Sequence, residues 1–79
     1  MDLQKLAESD LSQVDTDTLQ QAVHDTERVL EYGQDWSGLF IAELYRRSGL
    51  SWPAFAKQMQ MPRTTLLRRA QPYLREDER

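Results

Sequence analysis

Arg63, Thr64, Leu67 and Arg68 fall at i, i+1, i+4 and i+5, a spacing that sets all four on one face of a helix. Two guanidiniums, a hydroxyl and an apolar side chain suit recognition better than bond-making. A guanidinium is a planar fork that matches a phosphate or a guanine edge. These residues lie in an unusual window. From Tyr45 to Arg75 there are seven bases (Arg46, Arg47, Lys57, Arg63, Arg68, Arg69, Arg75) and no acid, a balance of +7. Residues 1–44 hold ten acids and two bases, a balance of −8, and residues 76–79 add −2. The formal net charge of −3 is therefore a cancellation. The acid-free window is an electrostatic footprint for a polyanion; the plainer reading is a solvated helix face balanced by the acidic half.

Enzyme chemistry finds little to work with. Cysteine is absent, which excludes a disulfide scaffold, a thiolate zinc site, an iron–sulfur site and a Cys nucleophile. His24 is the one histidine, set beside Asp25 and Glu27, and a metal needs several convergent ligands. There is no Gly-rich phosphate loop and no carboxylate pair inside an apolar stretch. The expectation is a non-enzyme with no metal and no cofactor. The longest nearly apolar stretch, Leu39 to Tyr45, is too short for a membrane. The start, MDLQKLAESD, is acidic and polar where a signal peptide is basic and then apolar, so a cytoplasmic chain is expected. Its 79 residues allow one small domain with a marginal core.

The elements that must carry the basic face are helical throughout. Residues 1–14 have a weak apolar pattern (Leu3, Leu6, Leu11, Val14) that fits a short helix or an acidic arm. Asp15-Thr16-Asp17 starts a helix whose face is Leu19, Val23, Thr26 and Leu30, with Gly33 just past its end. Asp35 caps a second helix with a wide apolar stripe of Trp36, Leu39, Phe40, Ile41 and Leu44, closed by Gly49. That stripe is wider than one small neighbour needs. Ser51 caps a third helix, Trp52 to Met59, with Leu50 and Phe55 spaced for a hydrophobic staple and Pro53 in the first turn. Pro62 opens a fourth, reaching about Gln71 before Pro72. The fold class is all-α, four to five short helices: an acidic arm or short helix at 1–14, a helical DNA-binding domain at 15–75 with a C-terminal helix-turn-helix at 51–71, and a charged tail at 76–79.

Two short helices joined by about three residues need a small residue where they touch, an apolar plug in the turn and an apolar residue on the inner face of the second. Ala56, Met61 and Leu66 meet these needs. In this arrangement the start of the second helix enters the major groove. Arg63, with Thr64 and Leu67, then faces base edges, Leu67 offering apolar contact to a thymine methyl. Thr65, Arg68 and Arg69 reach phosphates, joined by Lys57; Trp52, at the start of the third helix, either meets a phosphate as well or packs on the staple.

Leu50 to Arg69, LSWPAFAKQMQMPRTTLLRR, resembles the helix-turn-helix of bacterial transcriptional regulators, most nearly the Fis-like form shared with the DNA-binding ends of NtrC-type activators. The matching positions are Ala56, Met59, Met61, Arg63, Thr65, Leu66, Arg68, Arg69 and Tyr73. Small plasmid or phage repressors carry the same motif. The resemblance implies that Arg63 makes base contacts, that Thr65, Arg68 and Arg69 hold the backbone, and that the preceding long helix helps build a dimer. It departs at Gln60, which replaces the frequent turn glycine and must take an unusual backbone. It departs also at Pro62, which stands where a polar cap is common. Residues 1–35 match nothing in it.

The expected function is sequence-specific binding of double-stranded DNA by a regulator, a dimeric repressor on a palindromic operator, in the nucleoid of a bacterial cytoplasm. Half-sites about 10–10.5 bp apart, or a multiple, follow from two-fold symmetry. Trp36, Leu39, Phe40 and Leu30 are the expected seam of a homodimer. The rival readings are a helical interaction module, antitoxin-like or adaptor, and a sequence-tolerant nucleoid-type binder.

Overall fold

The computed structural model describes residues 3–28 and 33–78. Helix α1 spans Leu3–Glu8, α2 Thr16–Arg28, α3 Gly33–Ser48, α4 Trp52–Met59 and α5 Arg63–Ala70. Short 3-10 turns cover Leu11–Gln13, Gln71–Tyr73 and Glu76–Glu78. Among the described residues there is no strand, so the chain is all-α with five helices. None of these helices is long and apolar enough to cross a membrane.

Local chemistry explains the starts and stops. Of the two readings of residues 1–14, the short helix is the one formed, with Leu3, Leu6 and Ala7 packed on the core. Asp10 accepts from the Ser12 amide at 3.1 Å and hydroxyl at 2.6 Å, which caps the 3-10 turn. Asp15 does the same for α2, taking the Thr18 amide at 3.0 Å and hydroxyl at 2.6 Å. Ser51 caps α4 from the Ala54 amide, with Pro53 in the first turn where no N–H is needed. Gly49, at φ 66, ends α3 in the left-handed conformation that glycine takes without penalty.

Three local expectations are corrected. Gly33 is the first described residue of α3, where a residue closing α2 was expected, and Asp35 falls inside that helix, not at its cap. Leu50 is 37% exposed, so it does not staple Phe55. Phe55 is covered instead by aromatic rings from both sides of the α3–α4 corner. Tyr45 and Trp52 stack at 3.8 Å between centroids, and each meets Phe55 edge-on at 5.6 and 5.8 Å.

The core is one cluster around α3. Phe40, Ile41, Ala42 and Leu44 are consecutive or nearly so, and all are buried, which requires neighbours on more than one side of the helix. The largest are α2, through Leu19, Ala22 and Val23, and α5, through Leu66 and Ala70. Thr26 is buried but satisfied, its hydroxyl donating to the Val23 carbonyl at 2.8 Å. The end of α5 presses against α3 at Gly38, with main-chain atoms of Arg69 where a Cβ would stand. The width of the apolar stripe is thus used within the chain: a central helix needs it.

Candidate nucleic-acid interface

Helix α4 buries Phe55, Ala56 and Met59, and α5 buries Leu66 and Ala70. Met61, half-buried in the connection, packs on the same core, and its amide donates to the Ala56 carbonyl at 3.2 Å. Gln60 takes φ 58 and ψ 39, the left-handed conformation a glycine would supply. Pro62 precedes α5 and gives its first turn no side-chain cap, although its carbonyl accepts the Leu66 amide at 3.1 Å. A glutamine at positive φ and a proline fixed near −60° together redirect the chain within three residues.

This packing leaves Lys57, Arg63, Thr64 and Arg68 exposed. Thr65, Leu67 and Arg69 are half-buried, and Leu67 packs against the core. The four-residue face read from spacing is thus strongest at Arg63, Thr64 and Arg68. Among the described residues no carboxylate pairs with Lys57, Arg63 or Arg68. Nor do these residues contain a cluster of three or more carboxylates or histidines able to hold a metal ion.

Two bases of the acid-free window have other employment. Arg47 pairs with Glu43 at 3.1 Å, donates to the Leu11 carbonyl and reaches the Thr16 hydroxyl at 3.5 Å. Arg46 turns the other way. Its Nε donates to Glu78 Oε2 at 2.9 Å, and its Nη2 donates to Glu78 Oε1 at 3.1 Å and to the Tyr73 carbonyl at 2.6 Å. The Arg75 amide adds a third donor to the Glu78 carboxylate at 2.9 Å. The Arg46 side-chain hydrogen bonds and then the Arg75 amide hold the Glu78 carboxyl below its ordinary value of 4.5.

Comparison with protein-family models, curated proteins and solved structures finds no match to this chain.

Several expected roles are changed by this packing. The indole N–H of Trp52 donates to the Glu78 carbonyl at 2.8 Å, so it is not an open donor for a phosphate. Phe40 is fully buried inside its own chain and cannot form a seam with a second copy. Trp36 and Leu39 are half-buried edges of α3, and Leu30 lies outside the described residues. The Glu78–Arg46–Trp52 cluster leaves no signal in local spacing. Its members are 26 and 32 residues apart, and residues 76–79 read simply as a charged tail.

Proposed function

We propose that the chain is a DNA-binding regulator that reads duplex DNA with the start of α5 in the major groove. The observation that carries this is the exposed set Lys57, Arg63 and Arg68, without carboxylate partners among the described residues, on two helices joined by a three-residue turn. Cations left unpaired on a surface while neighbouring arginines are paired internally suit a polyanionic partner. Arg63, at the first position of α5, is the base-reading side chain, and Thr64 lies beside it. Arg68 and Lys57 hold phosphates. Repression by occupancy of an operator is the simplest regulatory output of a domain this small. Pairing of two copies on a palindrome would draw on the Trp36–Leu39 edge of α3 and not on Phe40 and Leu44, which belong to the core of one copy.

Selection of bound sequences from a random duplex pool, followed by salt titration on selected and scrambled duplexes, tests the reading. A consensus with steep salt dependence on both duplexes supports it. Equal affinity for both identifies a sequence-tolerant binder instead. No binding at low salt overturns it and favours a protein partner with an acidic surface.

A further inference from the structure

The contacts of Glu78 have the form of an occupied anion site. Two nitrogens of one guanidinium and one main-chain N–H converge on a single carboxylate, and the indole N–H of Trp52 closes on the carbonyl of the same residue. Two or three N–H donors in fork geometry are also what a phosphate oxygen pair accepts. The two side-chain donors are also held by contacts other than the carboxylate. Arg46 is tied to the Tyr73 carbonyl, and the Trp52 ring is fixed by its stack on Tyr45. Arg46 lies in the last turn of α3 and Trp52 in the first turn of α4, so the site joins the two helices across the Gly49 bend. The Glu78 side chain is only 14% exposed, whereas Glu76 and Asp77 on the same turn are exposed. Glu78 therefore sits against Trp52 in the first turn of α4, and Glu76 and Asp77 precede it as exposed acids on the same 3-10 turn.

We infer that Arg46 and Trp52 form a phosphate site that Glu78 fills in this structure, so that residues 76–78 act as an acidic strap exchanged for a nucleic-acid backbone phosphate on binding. This rests on the proposed DNA-binding function. The exchange replaces the Glu78 carboxylate on Arg46 by a phosphate and passes the Trp52 N–H from the Glu78 carbonyl to that phosphate, with no covalent bond made or broken. It gives the window two modes: with the strap closed, Lys57, Arg63 and Arg68 are offered; with it open, Arg46 joins them. Closure lowers the affinity for every duplex that must displace the strap by the same factor.

The test measures binding of the full chain to a selected duplex as a function of salt, for wild type, Glu78→Gln, and the double variant Glu76→Gln with Asp77→Gln. The Trp52 indole N–H resonance is followed in parallel. Glu78→Gln removes the charge that holds Arg46. It is expected to tighten binding several-fold and to steepen the slope of log affinity against log salt by about one. In wild type the Trp52 resonance is expected to move when the duplex binds. The double variant leaves the Glu78 contacts in place and thins the strap, so a smaller tightening is expected; it decides the matter if Glu78→Gln loses helix content. Wild-type affinity and slope in the folded variants, with an unmoved Trp52 resonance, overturn the strap while leaving duplex binding intact. Absence of duplex binding in wild type and variants alike overturns the proposed function and the strap with it.

Discussion

A Cβ placed on Gly38 would lie 1.9 Å from the carbonyl oxygen of Arg69 and 2.7 Å from its carbonyl carbon. Both are main-chain atoms, so no side-chain rotation relieves the clash. Tyr73 closes the same spot at 3.1 Å. Glycine inside a helix costs about 1 kcal/mol relative to alanine, and here that cost is what lets α3 and α5 touch. Gly38→Ala is expected to lower stability by roughly 1–3 kcal/mol or more, against the gain in helix propensity. Thermal unfolding followed by circular dichroism checks it, and a midpoint equal to or above wild type would contradict the close crossing.

Phe40 separates a core residue from an interface residue. Phe40→Ala is expected to destabilise the chain by roughly 3–5 kcal/mol, as a fully buried ring does, with no specific effect on association. Sedimentation of the wild type and of Leu39→Ser and Phe40→Ala addresses the alternative. A Phe40 variant that stays fully stable and shifts only the oligomeric state would return that residue to a seam.

Arg63 and Arg68 are expected to differ in kind. Arg63→Ala should relax sequence preference and cost roughly 1–3 kcal/mol on the selected duplex. Arg68→Ala should weaken selected and scrambled duplexes alike and reduce the salt slope by about one. Titration on both duplexes distinguishes them, and equal behaviour of the two variants would place the recognition surface elsewhere.

Acid should loosen the start of α2 and the 76–78 turn together. The Thr18 hydroxyl and then its amide hold the Asp15 carboxyl below its ordinary 3.8, and Arg46 and then the Arg75 amide hold Glu78 below 4.5. A carboxylate depressed in the folded state stabilises the fold above its unfolded value and loses that contribution as pH falls through the folded one. Stability is therefore expected to be flat near neutrality and to decline below about pH 4.5. Asp15→Asn and Glu78→Gln should each flatten part of that decline in denaturant titrations at several pH values. An unaltered acid limb in both would remove these two carboxylates as its source.

Much of this fold was legible because its signals are local. Ser51, Pro53 and Gly49 mark the α3–α4 bend, and Ala56, Met61 and Leu66 mark the α4–α5 pair, each through a backbone need that few residues meet. The left-handed backbone at Gln60 followed from a turn position that lacked its glycine. The site was legible to the extent that exposure follows helical spacing, which holds for Arg63, Thr64 and Arg68 and fails for Leu67, drawn toward the core. Periodicity could not say what covers an apolar stripe. Phe40 looked available to a second copy because periodicity does not show the six elements of its own chain that fold around α3. Nor could local pattern reveal Gly38, whose role comes from a carbonyl 31 positions away, or the pairing of Arg46 with Glu78.

Arg46 and Arg47 are adjacent, yet one secures Tyr73 and Glu78 and the other Leu11, Thr16 and Glu43. Segments from opposite ends of the described chain are thus moored to a single turn of α3. Opening either one strips partners from that turn, so the two edges should open as one cooperative unit in hydrogen exchange. A cut or a bulky fusion at one edge would then be felt as lowered protection at the other.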